Sequence, residues 1–134
     1  MSIYMIKQET ADAKAIVVDD MFLTTDMPTT AGSKMLEGYN SLFEAEALTR
    51  LKAAGYVVAG KTKVGEFGVD LLGETCYFGA EYEGETLQYP PAVAVNNGDG
   101  KAAVVLDVNG APRRGAAQSG LVSLKPTYGR VSRY

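Results

Sequence analysis

The chain has 134 residues, 46% hydrophobic and 22% charged, with a formal net charge of −3. This length and composition suit one globular domain with one hydrophobic core, and the acidic balance argues against a nucleic-acid interface, which needs a basic surface. No apolar run reaches the eighteen or so residues that cross a bilayer, and the lone cysteine, Cys76, favours a reducing cytoplasm.

The chain contains no histidine. A Ser-His-Asp or Cys-His catalytic unit is therefore excluded, and so are zinc sites built on histidine. Two groups of acidic residues could suggest a magnesium or calcium site: Asp19 with Asp20, and Glu81, Glu83 and Glu85. They match no known ligand pattern, and solvated acidic loops are the simpler interpretation. We predict neither a metal site nor a cofactor.

The first half of the chain predicts strand, helix and strand. The run AKAIVVDD, ending at Asp20, is rich in β-branched residues and bounded by charge, which predicts a buried strand. The segment NSLFEAEALTRLKAAG has apolar residues at helical spacing, with Asn40 or Ser41 as a possible cap and Gly55 at its end. The following YVVAG predicts a strand, an order typical of α/β folds.

The second half predicts a short helix over EFGVDLLG (Glu66–Gly73) and then an antiparallel hairpin. AVAV and KAAVVLDV (residues 92–108 with the intervening turn) have the β-branched composition of strands, and NNGDG supplies turn residues that tolerate positive φ. GLVSLKPT predicts a further strand that ends near Pro126. We expect a single α/β domain over residues 1–134.

The segment Gly55–Thr62 matches the pattern GxxxxGK[ST] of phosphate-binding loops. Such a loop follows a strand and precedes a helix, so that its backbone N–H groups surround a phosphate. Here a helix comes first, and YVVA has the composition of a strand. We therefore interpret the segment as a strand followed by a loop.

Several stretches of the sequence resemble sequence motifs of one protein family. They are MPTTAGSKMLEGY (Met27–Tyr39), EALTRLKAAGYVVAGKT (Glu46–Thr62), EF and FG (Glu66–Phe67 and Phe78–Gly79), and SLKPTYGRVSRY (Ser123–Tyr134). They resemble the amidase signature family, and within it the A subunits of glutamyl-tRNA(Gln) amidotransferases. The resemblance runs from about Lys14 to Tyr134 and covers the N-terminal part of much longer proteins. It implies a truncated amidase-signature-like core. Together with the hairpin and helix predicted from the residues, we expect an α/β fold with a mixed sheet, an added antiparallel hairpin and flanking helices.

The resemblance also implies a chemistry and its absence here. In the family a serine attacks an amide carbonyl, and a second serine relays its proton to a lysine, while glycine-rich N–H groups stabilise the oxyanion. Position by position, the lysine corresponds to Asp19, the relay serine to Leu87 and the nucleophile to Ala111. None of these three residues can perform the role that the family has at its position, so we predict no catalytic residue.

Other residues near the nucleophile's position do match the family. Asp107, Gly110 and Arg113 are retained there, and we predict them as remnant binding residues. Ser119 and Lys125 could form a replacement catalytic pair, although a serine and a lysine six residues apart carry no recognisable pattern. A surface hydroxyl and a surface amine are the simpler interpretation.

The first functional interpretation is a non-catalytic amidase-like protein, a cytoplasmic pseudoenzyme that forms a homo-oligomer or associates with another protein. One alternative is an amidase or amidotransferase fragment completed by another chain, and another is a small-ligand binding module. A binding module predicts a concave polar pocket near residues 107–113, whereas an assembling subunit predicts an apolar face or a pairing strand edge there. We expect no direct contact with nucleic acid or membrane.

Overall fold

A computed structural model describes residues 2–70 and 73–134, and its centre is a four-stranded sheet of order β1-β3-β2-β6. The strands are β1 (Tyr4–Lys7), β2 (Ala15–Asp19), β3 (Val57–Thr62) and β6 (Ala103–Val104). Strand β2 pairs in parallel with β3 and β6, and β1 pairs antiparallel with β3. The sheet is mixed, and the strands predicted from AKAIVVDD and YVVAG are confirmed.

The central strand β2 is buried along its whole length because helices cover both faces of the sheet. Helix α1 (Glu46–Ala53) contributes to the core cluster that contains Val18, and helix α2 (Pro90–Asn96) contributes to the cluster that contains Val17. Successive side chains of a strand point to opposite faces. A strand buried on both faces therefore has a continuous apolar sequence rather than an alternating one.

Helix α1 confirms the predicted amphipathic helix, but it begins later than the predicted caps. Its N-cap is Ala45, without a side-chain hydrogen bond. The Ser41 hydroxyl instead accepts from the N–H of Phe43 at 3.1 Å and so holds a separate turn before the helix. The C-terminal end is as predicted, since Gly55 has the positive φ of 86° that stops a helix there.

The predicted hairpin over residues 92–108 is wrong, because its first half is helix α2. Pro90 occupies the first turn, where its missing N–H costs nothing, and Ala94 packs against the sheet. The second half forms β6, which pairs in parallel with β2. The two valines favoured a strand locally, but burial of the alanine face decided the structure.

An antiparallel hairpin does exist earlier in the chain. Strand β4 (Tyr82–Glu83) pairs with β5 (Thr86–Leu87) around Gly84, whose φ is 61°. The α/β class, the mixed sheet, an antiparallel hairpin and flanking helices are thus all present. The described part of the chain contains no helix long and apolar enough to cross a membrane.

The C-terminal part departs from the prediction. Helix α3 (Ala111–Gln118) was not expected, and the strand predicted over residues 120–127 is wrong, because that segment is irregular and mostly exposed. The short helix predicted at Glu66–Gly73 is a single 3-10 turn over Glu66–Gly68, and the predicted positions 71–72 lie outside the described residues.

Candidate functional site

A buried ion pair lies where β2 and β3 end. The side chains of Asp20 and Lys61 are 0% exposed, and Lys61 Nζ lies 2.9 Å from Asp20 Oδ1. The same ammonium group donates to the carbonyl of Pro28 at 2.9 Å and to the hydroxyl of Thr29 at 2.6 Å. Burial lowers the pKa of Lys61, while Asp20 opposes that shift. Oxygen atoms surround the ammonium group, so the buried charge is compensated.

The ion pair holds the loop that follows β2. Asp20 Oδ2 accepts from the N–H of Thr30 at 2.9 Å, and the Thr30 hydroxyl donates to the same oxygen. Farther along the loop, the Ser33 hydroxyl donates to Glu66 at 2.7 Å. We call Asp20, Lys61 and the loop of residues 27–37 the ion-pair region. It coincides with a stretch that carries the family resemblance.

The same loop packs backbone to backbone against residues 64–67. A Cβ atom at Gly32 would lie 2.2 Å from the carbonyl oxygen of Val64, so only glycine fits. Two residues with a side chain, Ala31 and Phe67, adopt a φ of 52°, and the N–H of Phe67 donates to the carbonyl of Ala31 at 2.8 Å. Such strained conformations persist only where the surroundings enforce them.

A small cavity of about 20 Å³ lies beside this region. Its walls include Asp19 at the end of β2, Tyr89 before α2 and Ala111 at the start of α3, with residues 63–65 on the other side. We call these walls the cavity region. The fold thus brings together Asp19 and Ala111, the two positions predicted to correspond to the family's lysine and nucleophile. The volume suffices for about one water molecule, which needs about 10–15 Å³.

Asp19 is the buried acid of this cavity, with 1% of its surface exposed. Its carboxylate accepts from the N–H of Leu106 at 2.8 Å and from the N–H of Met21 at 3.1 Å. Burial raises the pKa of Asp19 to about 7, although these two hydrogen bonds oppose the shift. The side chain therefore joins β2 to the segment after β6, and its correspondence to the family's lysine remains a prediction.

Leu87, which is predicted to correspond to the relay serine, lies in β5 opposite Tyr82. Within residues 2–70 and 73–134, the cavity walls do not include Leu87; Tyr89 and Pro90 stand there instead. The correspondence of Leu87 to the relay position remains a prediction. The side chains that do reach the cavity from this part of the chain are a phenol ring and a proline.

The structure brings Asp107, Gly110 and Arg113 together. Asp107 Oδ1 accepts from the N–H of Gly110 at 2.8 Å, and Oδ2 accepts from Nε of Arg113 at 2.7 Å. The Arg113 guanidinium is the main cause that lowers the pKa of Asp107. Both carboxylate oxygens thus hold the turn that leads into α3. A binding role for these three residues remains a prediction.

Sequence reasoning missed Tyr89 and Gly115. A Cβ atom at Gly115 would lie 2.4 Å from Cγ of Tyr89, so the ring packs directly on the α3 backbone. Burial raises the pKa of the Tyr89 phenol, and the charges of Asp19 and Asp107 raise it further. A glycine among alanines in an otherwise helical run was the available signal, because it marks close approach.

The two remaining motifs have structural roles. Lys125 Nζ donates to the carbonyl of Asp107 at 2.8 Å, and among the described residues no hydrogen bond joins Lys125 to Ser119. Ser119 is the C-cap of α3. In the segment that resembles a phosphate-binding loop, β3 occupies Val57–Thr62, which confirms the predicted strand. The loop predicted after it is wrong at Lys61 and Thr62, because both belong to β3 and Lys61 is the buried partner of Asp20.

A larger, mostly alkyl-lined groove of about 200 Å³ lies on the other side of Tyr89 and Pro112. It runs between α2, β6, α3 and residues 121–123. Alongside residues 107–113 the chain therefore presents an apolar concavity, while the polar groups of that segment bind one another.

The chain matches a known family over most of its length. The family model described as Amidase matches residues 15–134. The A subunit of the glutamyl-tRNA(Gln) amidotransferase from Halobacterium salinarum is 42% identical over 130 residues, which are 92% of this chain and 31% of that protein. The corresponding A subunit from Cupriavidus metallidurans is 43% identical over 122 residues, or 86% of this chain and 24% of that protein.

A solved structure agrees with these matches. The crystal structure of the A subunit of glutamyl-tRNA(Gln) amidotransferase from Thermotoga maritima superposes with a TM-score of 0.66 at 28% identity. The superposition covers 75% of this chain and 26% of that protein. The chain thus spans about a quarter to a third of the length of these relatives.

Proposed function

The chain belongs to the amidase family, and from that premise we propose that it is a non-catalytic member that acts as an assembling subunit. The cavity region carries the proposal. Ala111 and Asp19, which the resemblance assigns to the nucleophile and lysine positions, line one small cavity, and this supports the proposal that the cavity is a remnant of the family's site without its reactive groups. An alanine methyl group cannot attack a carbonyl carbon, and no general base can activate it.

The properties of Asp19 support the same conclusion. In the family's scheme a neutral amine accepts the proton that the serines relay. Both carboxylate oxygens of Asp19 accept backbone hydrogen bonds, which leaves this side chain engaged in the fold. The cavity has a volume of about 20 Å³, with Tyr89 and Pro112 among its walls, and such a volume suits a water molecule rather than an amide substrate.

The assembling role rests on different observations. The relatives are named as A subunits of an amidotransferase, and this chain matches only 24% to 31% of two of them. The groove beside residues 107–113 is lined mostly by alkyl side chains, and an apolar face there is what the assembling role predicts.

The proposal is tested by amide turnover. The purified chain is incubated with glutamine, asparagine and aryl amides, and release of ammonia or aryl amine is followed. We expect no turnover from the chain or from Ala111→Ser, because catalytic residues act as a unit and a lone serine lacks its base. A Ser119→Ala variant is the matched control for a relocated nucleophile. Turnover that survives repeated purification and is abolished in Ser119→Ala contradicts the proposal.

A second candidate is an amide-hydrolysing fragment completed by another chain. Family membership together with the small share of each relative that is matched favours it. This candidate predicts turnover when the chain is mixed with the remainder of the Halobacterium salinarum protein. The first candidate predicts none in that mixture, whereas the remainder mixed with its own N-terminal part provides the positive control.

A further inference from the structure

We propose that Asn97 is a site of spontaneous deamidation, at which the chain converts this asparagine into aspartate or isoaspartate. The sequence contains two Asn-Gly pairs, Asn97–Gly98 and Asn109–Gly110. A glycine after asparagine favours this reaction, because a residue without a Cβ atom leaves its N–H unhindered and its backbone free to rotate. The inference concerns a covalent modification of the chain and does not depend on the proposed function.

The reaction needs only these two residues and water. The backbone nitrogen of Gly98 loses its proton and attacks Cγ of Asn97, while the bond from Cγ to Nδ2 breaks and the side-chain nitrogen takes up a proton and leaves as ammonia. The product is a cyclic succinimide. Water then opens the ring, either at Cγ, which gives aspartate, or at the main-chain carbonyl carbon, which gives isoaspartate. The reaction becomes faster as the pH rises, because the attacking nitrogen must lose its proton.

The two asparagines differ in their contacts, although both are exposed. Asn109 Nδ2 donates to the backbone carbonyls of residues 69 and 70, each at 3.1 Å. Its Oδ1 accepts from the N–H of Ala111 at 3.1 Å. The N–H of Gly110, which would have to attack, donates to Asp107 Oδ1 at 2.8 Å. Both reacting groups of this pair are therefore held in place.

Asn97 ends helix α2 under fewer restraints. In the described part of the chain, the Asn97 side chain makes no hydrogen bond. The last turn is held by the N–H of Gly98, which donates to Val95, and by the N–H of Asp99, which donates to Ala94, each at 3.0 Å. Asn97 has a ψ of −9°, so ring closure requires rotation about its Cα–C bond and opening of this turn. Helix ends open more readily than core elements, which makes this pair the reactive one.

The modification changes the charge and the length of the chain where α2 ends. A carboxylate at residue 97 lies at the negative end of the helix dipole and two residues before Asp99. Asp99 accepts from the Tyr4 hydroxyl at 2.8 Å and lies 2.5 Å from Lys7 Nζ, which ties β1 to the end of α2. Isoaspartate adds a methylene group to the main chain before Asp99 and so displaces this anchor.

The test compares the two pairs in one sample. The intact chain is incubated at mildly alkaline pH and digested with trypsin, and deamidation is located by mass spectrometry. Cleavage after Lys101 separates the peptide of residues 64–101, which contains Asn97, from that of residues 102–113, which contains Asn109. We expect Asn97 to react faster by at least about tenfold, which corresponds to about 1.4 kcal/mol, close to the net contribution of one hydrogen bond. In urea, where the chain is unfolded, the two pairs should react at similar rates.

Variants assign the reaction to these contacts. Asn97→Gln should abolish the modification of the first peptide, because the longer side chain must close a larger ring. Asp107→Ala frees the N–H of Gly110 and should accelerate the reaction of Asn109, whereas Asp26→Ala, which leaves both pairs untouched, is the control.

Two outcomes overturn the inference. One is an unmodified Asn97 in the folded chain while both pairs react in urea, and the other is equal reaction of Asn97 and Asn109 in the folded chain. Ammonia from Asn97 stops at one molecule per chain, whereas amide turnover continues. The result is therefore distinguishable from that of the turnover test.

Discussion

The ion-pair region and the cavity region adjoin each other, but their side chains do different work. In the ion-pair region, Asp20 and Lys61 are fully buried and bind each other together with Thr29 and Thr30. In the cavity region, Ala111 and Asp19 line a small cavity and stand where the resemblance predicts the nucleophile and the lysine. Contacts in the first region determine the path of the backbone, whereas the proposed loss of chemistry concerns only side chains in the second. The comparison therefore separates what holds the fold from what a reaction would need.

The largest expected effect comes from breaking the ion pair. Lys61→Met leaves the Asp20 carboxylate buried without its cation, which should cost about 3–5 kcal/mol of unfolding free energy. Urea unfolding measures the loss. Lys7→Ala is the matched control, because Lys7 forms an ion pair at the surface, where such pairs contribute at most about 1 kcal/mol. Adding Asp20→Asn to Lys61→Met should recover part of the loss; equal effects of Lys61→Met and Lys7→Ala would remove the contrast between the regions.

The next effect concerns Asp19 and pH. Its pKa rises from 3.8 to about 7 on folding. Protonation of the buried acid therefore contributes to the unfolding free energy. This contribution is complete below pH 3.8 and is lost as the pH rises toward 7. One pKa unit corresponds to about 1.4 kcal/mol, so the loss amounts to about 4 kcal/mol at most. Relative to the parent chain, Asp19→Asn should gain stability between about pH 4 and 8.

Asp107 is a control because its pKa is shifted in the opposite direction, so its contribution to stability depends on pH with the opposite sign. Arg113 lowers the pKa of this acid, so its stabilisation is present above the ordinary aspartate range and is lost as the pH falls. Unfolding free energies of the parent, Asp19→Asn and Asp107→Asn, measured across the same pH range, separate the two. If the curves of the parent and Asp19→Asn run parallel, Asp19 does not titrate as described.

A smaller effect tests how Tyr89 fills the cavity region. Gly115→Ala places a methyl group within 2.5 Å of the Tyr89 side chain, and the overpacking should cost about 1–3 kcal/mol. Ala117→Gly, at an exposed position of the same helix, should cost about 0.5–1 kcal/mol through helix propensity alone. Thermal unfolding compares them. Stabilisation by Gly115→Ala would show that the ring does not press on the α3 backbone.

The sequence predicted well where local pattern and tertiary packing agree. The β2 run and the α1 stripe are strong patterns that the core reinforces, so both were found. The helix at Pro90–Asn96 was missed because valines suggested a strand, while the alanine face and the prolines of the first turn decided otherwise. Counting along the family pattern predicted Asp19 and Ala111 for the lysine and nucleophile positions, and the structure shows only that both line one cavity. The contact of Tyr89 with Gly115 depends on tertiary packing that spacing does not encode.

The claim that the chain has no activated serine nucleophile is tested most directly by a covalent probe that reacts with such serines. The intact chain and the Ala111→Ser variant are incubated with a fluorophosphonate, and their masses are measured. An activated serine forms an adduct, whereas an ordinary surface serine does not, because it lacks a base that would make its oxygen nucleophilic. We expect both proteins to keep their unmodified mass. A stoichiometric adduct on one serine of the parent chain, lost when that serine is replaced by alanine, would contradict the account.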